Sequence, residues 1–255
     1  METINLENIC YISYGLRANA DDRYWQGEFT TDDCLSAIKD TTHPKQFVQG
    51  KDLVKWWVRR IWYLEWGTKR APNRFSRPTF SELHEATEKL VAVRTPGVEP
   101  KVIYDAGLLH FDASSVGFVP WHYLHGVRNK SIRKTAKYRN EVKRDETSHL
   151  ILREESEKLS LQFAPKYLLA LMNSTFAKEW LAGRRRSKFH IYPDDWKSLP
   201  VALAAVEEQA AITALVDEIL ALYAEHGYPL TTEAQSRLQE LEQQIDKKVA
   251  KLYEG

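Results

Sequence analysis

Residues 184–200 indicate how the chain is divided. Their sequence is Arg184-Arg185-Arg186-Ser187-Lys188-Phe189-His190-Ile191-Tyr192-Pro193-Asp194-Asp195-Trp196-Lys197-Ser198-Leu199-Pro200. The first half of this stretch is basic and aromatic, and we predict that it forms a strand. Pro200 ends the stretch, and a helical pattern rich in Ala, Glu, Gln and Leu follows it. This junction predicts a first domain over residues 1–199 and a helical extension over residues 200–255.

The composition permits a large folded domain. The chain has 255 residues, of which 43% are apolar and 11% are aromatic, enough for one sizeable core with an appendage. Short β-branched and aromatic runs occur together with segments of helical spacing. We predict an α/β (α+β) fold in which a mixed, irregular, β-rich domain with packed helices is followed by an antiparallel helical hairpin.

The periodicity of the first 199 residues places its elements. Gly15 is predicted to end or bend the first strand, and Trp56 and Trp57 are expected to face the core of a helix rather than to stack on a ligand. The predicted elements are a strand at 9–17, a helix at 50–66, an exposed loop at 67–80, strands at 90–94 and 102–105, strand and loop at 108–123, and a helix at 166–181.

The last 56 residues predict two helices joined by a tight turn. The first has one apolar stripe over residues 206–223 and ends at Gly227-Tyr228-Pro229. The second begins at Thr232, which forms a capping-box spacing with Gln235. Its apolar residues recur at steps of three and four, so the two helices are expected to form an antiparallel hairpin that serves as a spacer and docking surface.

Charge is segregated along the sequence although the net charge is only +1. Residues 51–77 and 128–144 are strongly basic, and a third basic run lies at 184–188. Beyond Val201 the acidic residues prevail. Isolated basic runs are usually solvated charges that balance acidic neighbours, but three such clusters that face few acids favour a polyanionic partner, duplex DNA above all.

The candidate DNA-binding residues are the lysines and arginines of these clusters and one asparagine in the predicted loop. Lysine and arginine replace the counterions of DNA phosphates, and arginine also reads guanine through two hydrogen bonds. The candidates are Lys51, Lys55, Arg59, Lys69, Arg70, Asn73, Arg74, Arg77, Arg128, Lys130, Arg133, Lys134, Lys137, Arg184, Arg185, Arg186 and Lys188.

Catalytic motifs are weak in this sequence. It has no Pro-Pro, which a methyltransferase acting on a flipped base needs after its Asn or Asp, and no glycine-rich cofactor turn. Glu141-Val142-Lys143 matches the Glu-x-Lys of metal-dependent nucleases, so a nuclease that uses Glu141 and Lys143 is an alternative. His110, His122 and His125 lack a zinc-binding spacing and are expected to be surface or core residues. We expect no catalytic residue, metal or cofactor in the chain.

Nothing in the sequence predicts export from the cell. Cys10 and Cys34 are the only cysteines, and we expect both to stay reduced. There is no signal pattern and no apolar run long enough to span a membrane, so a cytoplasmic location without membrane contact is expected.

An ordered set of short motifs resembles a known family. The motifs are residues 11–16, 19–21, 43–45, 50–52, 63–68, 77–80, 88–90, 129–132, 167–174 and 192–200. Together they resemble the target-recognition region of type IIG restriction-modification enzymes, called the TaqI-like C-terminal specificity domain. Glu207-Glu208-Gln209 is similar to the start of the conserved helix in type I specificity subunits.

The resemblance implies a recognition domain that contacts a short DNA sequence beside an adenine methyltransferase. In that family the methyltransferase flips the target base, so S-adenosylmethionine and Mg²⁺ are expected only in a methyltransferase or endonuclease partner. The resemblance therefore implies that this chain is a non-catalytic specificity component. A second copy of the chain, bound through the C-terminal helices, is an alternative partner, and a scaffold that binds an acidic protein is an alternative function.

Overall fold

The structure is a computed structural model, and it describes residues 2–17, 29–71, 80–142 and 152–254. Its strands are β1 (Thr3–Asn5), β2 (Cys10–Tyr14), β3 (Leu35–Ser36), β4 (Lys45–Val48), β5 (Trp62–Leu64), β6 (Lys89–Val93), β7 (Val102–Asp105), β8 (His110–Phe111), β9 (Ser115–Pro120) and β10 (Pro200–Ala202). Its helices are α1 (Leu6–Ile9), α2 (Ser81–Glu85), α3 (Arg153–Ser160), α4 (Pro165–Asn173), α5 (Thr175–Arg184), α6 (Pro193–Lys197), α7 (Val206–His226) and α8 (Thr232–Tyr253).

A four-stranded antiparallel sheet in the order β2, β9, β6, β7 organises the molecule. Alternate residues of β6 point to opposite faces, as the period of a strand requires. Leu90 and Ala92 enter one apolar core, whereas Val91 and Val93 enter another. The sheet is therefore buried on both faces, which explains why β6 reads as a continuous apolar run.

A second four-stranded sheet, in the order β3, β5, β4, β8, lies beside the first. Its pairs are antiparallel except β4 with β8, which run parallel. Gly15 follows β2 where the two sheets meet, and a Cβ there would come within 2.1 Å of the Phe111 carbonyl oxygen. The bend predicted at Gly15 is thus a close approach between backbones, which only glycine permits.

The C-terminal helices complete the larger core. The apolar stripe of α8 is buried and includes Leu238, Leu241, Ile245, Val249 and Leu252. The ring of Tyr223 on α7 stacks on the ring of Trp57, with centroids 5.5 Å apart. The structure confirms the predicted mixed α and β fold and its C-terminal antiparallel hairpin. The boundary at residue 199 stays a prediction, and the hairpin shares one core with the central sheet.

The predicted helix at 50–66 is wrong. Residues 50–52 form a 3₁₀ turn, and the chain becomes extended again at β5. Trp56 has a φ of 74°, a left-handed conformation that an α-helix excludes. Its indole nitrogen donates to Glu242 at 2.7 Å, while Trp57 packs on the hairpin. The apolar residues of this segment have helical spacing, but Trp56 and Trp57 each make a different tertiary contact. Tertiary packing therefore overrides the local pattern.

Two further boundaries differ from the prediction. The helix expected at 166–181 is two helices, because Ser174 caps α5 by accepting from the Ala177 amide at 3.3 Å. Residues 184–192 do not form the expected strand, and only Pro200–Ala202 is extended and paired, with β1. The last helix begins at Thr232 as predicted, but its N-cap is Thr231, whose hydroxyl accepts from the Ala234 amide at 3.3 Å.

Both cysteines are buried free thiols. Within the described ranges, none of the helices is both long and apolar enough to cross a bilayer.

Candidate nucleic-acid interface

The turn between β6 and β7 brings two of the predicted basic clusters together. Val93 and Ser115 are partners in the sheet register, as are Tyr14 and Val116, so these residues mark one end of the central sheet. The turn, residues 94–101, projects from that end. A concave groove on one side of it is lined by Lys51, Arg59 and Lys101, together with Thr95, Ser114 and Tyr228. We call these three cations the groove surface.

Local hydrogen bonds hold the floor of the groove. The Gly50 amide donates to the Ser114 hydroxyl at 2.7 Å, and the Asp52 carboxylate accepts from the Gln49 amide at 2.9 Å. A Cβ on Gly50 would lie 2.7 Å from the Ser114 carbonyl oxygen, so the backbones touch. Burial raises the pKa of the Asp112 carboxyl, which accepts from the Ser114 amide at 3.0 Å. These contacts fix the backbone at the base of the groove.

The cations of the groove surface are unpaired within the described part of the chain. Lys51 and Arg59 are exposed, Lys101 is half-buried, and none of the three forms an ion pair with a described residue. Lys55 differs, because its ammonium group lies 2.8 Å from Glu242 and 3.9 Å from Glu99. Lys55, a predicted DNA-binding residue, therefore ties the turn to the hairpin.

The arginine segment, residues 184–190, lies on the other side of the same turn. Arg185 donates to the Gly97 carbonyl at 3.5 Å, and the Thr95 hydroxyl lies 2.7 Å from His190 Nδ1. The Ser187 hydroxyl accepts from the amides of Phe189 and His190 at 3.2 Å each, which fixes the local turn. Phe189 is 70% exposed between these cations. The structure thus joins the first and third basic clusters into one surface.

Individual arginines of this segment have different surroundings. Arg186 lies 3.0 Å from Asp194 and 3.4 Å from Asp195. Arg184 stacks on Trp180 with its guanidinium carbon 3.4 Å from the ring centroid. Lys188 is exposed and has no ion pair with a described residue. Lys188 and Arg185 therefore retain more of their charge for a ligand than Arg186 does.

The second basic cluster, Arg128 to Arg139, lies at the opposite end of the sheet. The 3₁₀ turn at Trp121–Leu124 follows the far end of β9, and the buried Arg153 donates to the Leu124 carbonyl and to Glu157. Tyr138 of the cluster donates to the same Glu157 at 3.1 Å. Ile132 and Ala136 are buried in the second core. This cluster is anchored by a buried polar network that sequence reasoning did not reveal.

Several cations of the second basic cluster have carboxylate partners. Arg128 and Arg133 lie 3.5 and 3.7 Å from Glu141, and Arg139 lies 3.3 Å from Glu155. Lys130 and Lys134 are exposed, whereas Lys137 is half-buried and engaged in contacts. The Glu141 carboxylate is thus surrounded by arginines.

The remaining predicted residues fall elsewhere. Arg70 donates to Glu65 and to the Asp33 carbonyl, the latter at 2.8 Å, and its neighbour Lys69 also makes contacts. Asn73, Arg74 and Arg77 lie outside the described residues. Sequence reasoning missed Lys101 as a member of the candidate interface. The Thr95-Pro96-Gly97 turn was the available signal, because it places the residues on its two sides next to each other.

The histidines take structural contacts. His110 is buried and stacks on His84 with ring centroids 4.8 Å apart. His122 Nδ1 lies 2.9 Å from the Ser160 hydroxyl, and His125 Nδ1 lies 2.6 Å from Glu157. Among residues 2–17, 29–71, 80–142 and 152–254, no group of three potential metal ligands converges.

No protein-family model matches the sequence, and no curated protein matches it. Among solved structures, the chain is similar to the type IIL restriction-modification enzyme MmeI in complex with DNA, with a TM-score of 0.48, 12% identity and coverage of 98% of this chain and 33% of that chain. It is also similar to a chain of a type I restriction-modification assembly, with a TM-score of 0.40, 16% identity and coverage of 100% of this chain and 46% of that chain. Its similarity to the HsdS subunit from Thermoanaerobacter tengcongensis has a TM-score of 0.41 and 17% identity, and it covers 100% of this chain and 45% of that chain.

This chain therefore spans less than half the length of each of those proteins.

Proposed function

We propose that the chain is the DNA sequence-specificity module of a restriction-modification system. In this proposal it binds a short duplex site and positions a partner adenine methyltransferase or endonuclease there. The observation that carries the proposal is the groove surface, in which Lys51, Arg59 and Lys101 come together at one end of the sheet without ion pairs among the described residues. The sequence resemblance to target-recognition domains supplies the restriction-modification context.

The geometry suits a phosphate backbone. Unpaired cations in a concave surface attract the condensed charge of DNA and release its counterions when they bind. The hydroxyls of Thr95 and Ser114 line the same groove as neutral polar groups. The arginine segment continues the positive surface across the turn and adds the exposed ring of Phe189.

The chemistry belongs to the partner in this proposal. The chain would hold neither S-adenosylmethionine nor Mg²⁺ and would contribute recognition alone. The outward side of the hairpin suits a protein rather than DNA, because exposed acids such as Glu225 and Glu233 would repel phosphates. Docking of the methyltransferase or of a second copy on this side is part of the proposal.

The two rival functions make different demands. A nuclease centred on Glu141 would need that carboxylate to bind a metal, but Glu141 contacts Arg128 and Arg133 instead, and Lys143 lies outside the described residues. A scaffold for an acidic protein would use the same cations as a DNA reader. Only binding measurements separate the scaffold from the DNA reader.

Fluorescence anisotropy of the full chain with a labelled 30-bp duplex, over a range of KCl concentrations, tests the proposal. With about six phosphate contacts, log affinity should fall with log salt at a slope near −5. Polyglutamate at matched charge should compete poorly, because it lacks the phosphate spacing of a duplex. A flat salt response would exclude DNA recognition through these cations, and equal competition by polyglutamate would favour the scaffold.

The same samples with Mg²⁺ or S-adenosylmethionine test whether the chain itself is catalytic. We expect neither cleavage nor methylation. Mg²⁺-dependent cutting that Glu141→Ala abolishes would establish the nuclease instead.

A further inference from the structure

We infer that Arg94 is a DNA-contacting residue whose guanidinium donates two hydrogen bonds to a pair of acceptors on duplex DNA. The inference rests on the proposed function and adds to it a particular residue. The paired acceptors are either O6 and N7 of a guanine or two oxygens of one phosphate, because both match the fork of a guanidinium.

The backbone of Arg94 is fixed on both sides. Its amide donates to the Ser114 carbonyl at 2.9 Å, and its own carbonyl accepts from the Ile191 amide at 2.8 Å. Arg94 directly follows β6, at the end of the central sheet where the groove surface and the arginine segment meet. It therefore stands between the two basic regions on a rigid element, the placement that accurate recognition requires.

The side chain of Arg94 is held by aromatic rings instead of by acids. Its guanidinium carbon lies 5.4 Å from the ring centroid of Tyr14 and 5.4 Å from that of Tyr192. The two tyrosines come from β2 and from the residue before α6, so distant parts of the sequence build these two contacts. Cation–π contacts hold a guanidinium in place without using its N–H donors.

The charge of Arg94 has no counterion among the described residues. Its Nε is buried without a hydrogen-bond partner there. The neighbouring carboxylates are already engaged, since Asp194 lies 2.7 Å from Lys197 and 3.0 Å from Arg186. Asp195 accepts from the Tyr192 amide at 2.7 Å. A half-buried, oriented and unpaired guanidinium is costly to keep, and a ligand with two acceptors would supply the missing partners.

Variants of the full chain separate the two acceptor pairs. Arg94→Lys keeps the charge but loses the fork, and Arg94→Ala loses both. Arg237→Lys is the matched control, because Arg237 lies on α8 and pairs with Glu218 and Glu240 on the acidic hairpin. Each protein selects duplexes from a randomised 30-bp pool, and its affinity for the selected duplex is measured over a range of salt. Melting temperatures establish that each variant is folded.

If Arg94 reads guanine, Arg94→Lys should lose the guanine preference at one position of the selected motif, by roughly 5- to 150-fold. Replacing that guanine with 7-deazaguanine should then weaken wild-type binding but not Arg94→Lys. If Arg94 holds a phosphate, Arg94→Lys should keep the motif. Arg94→Ala should then weaken all sequences alike and reduce the salt slope by about 0.9. In either case Arg237→Lys should behave as wild type.

Wild-type affinity, motif and salt slope in Arg94→Ala would overturn the inference and leave the proposed function standing. Failure of the wild-type chain to bind any duplex would overturn both.

Discussion

The groove surface and the second basic cluster have similar charge in the sequence but opposite roles in the fold. The groove cations Lys51, Arg59 and Lys101 form no ion pair with described residues, whereas Arg128 and Arg133 share Glu141. The second cluster is also fastened to the core through Arg153, which is 1% exposed. A basic run therefore identifies a ligand surface only when the fold leaves its charges unpaired.

The largest effect should come from the anchor of the second basic cluster. Arg153→Ala leaves Glu157 buried without its cation and removes the contacts of the guanidinium with the rings of Trp121 and Tyr138. We expect the free energy of unfolding to fall by about 3–5 kcal/mol. Urea denaturation measures it. Arg139→Ala is the control, since its exposed pair with Glu155 should contribute under about 1 kcal/mol. Equal losses of unfolding free energy in the two variants would show that Arg153 does not anchor the second basic cluster.

Removal of the groove cations should weaken DNA binding strongly. If each contacts one phosphate, Lys51→Ala/Arg59→Ala/Lys101→Ala should reduce the salt slope by about 2.7 and the affinity at 0.1 M salt by about 500-fold. Anisotropy titrations of a labelled duplex measure both quantities. The double variant Arg128→Ala/Arg133→Ala should lose far less, because those charges are partly neutralised. A larger loss in the double variant would reverse the comparison between the two regions.

The second sheet and the second region also differ in the burial of their histidines. His110 of the second sheet is buried and stacks on His84, whereas the side chain of His125 in the second region is 79% exposed. Burial lowers the pKa of His84 well below 6.5 and that of His110 to about 4, and the cations Lys45 and Lys89 also oppose protonation. Glu85 acts in the opposite direction on His110.

The folded state disfavours protonation of the His84 and His110 imidazoles. The free energy of unfolding should therefore be highest above about pH 6.5 and should fall as the pH decreases toward 4. The contribution of His110 reaches about 3 kcal/mol at the acid end. His110→Phe should reduce the slope of unfolding free energy against pH by up to about 1.4 kcal/mol per unit within that window. Urea melts at several pH values check this, with His125→Phe as the control. An unchanged slope in His110→Phe would show that His110 titrates normally.

The smallest effect should come from freeing the arginines of the second basic cluster. Glu141→Gln removes the carboxylate that Arg128 and Arg133 share, so affinity for duplex DNA should rise by about 0.5–1 kcal/mol, with a steeper salt slope. Salt-dependent anisotropy detects the change. Weaker binding in this variant would mean that Glu141 itself supports the interface.

The sequence predicted the elements whose pattern is local. Strands β6 and β7 lie within one residue of their predicted bounds, and helix α7 ends at the expected Gly227 turn. The failures are tertiary. Trp56 and Trp57 mimic a helix because each meets a different residue of the hairpin, Glu242 and Tyr223. No local pattern records such contacts.

The residues of the candidate site likewise include some that a local pattern predicted and others that depend on tertiary contacts. Charge clustering indicated Lys51, Arg59 and the arginine segment, because charge is visible residue by residue. It could not distinguish Lys55, which pairs with Glu242, from Lys101 across the groove, which forms no ion pair with a described residue. Arg94 drew no attention because it is a single arginine, and its position depends on tyrosines that lie about 80 and 100 residues away along the chain.

The pairing of β1 with β10 constrains the order in which the chain matures during translation. Thr3 is the register partner of Ala202, so the first strand cannot pair until nearly two hundred further residues have been made. At about 5–20 residues per second this interval lasts roughly 10–40 s. The stripe of α8 that seals the large core is made later still. The nascent chain therefore carries an open sheet edge and an uncovered apolar face until the segment that forms α8 has left the ribosome.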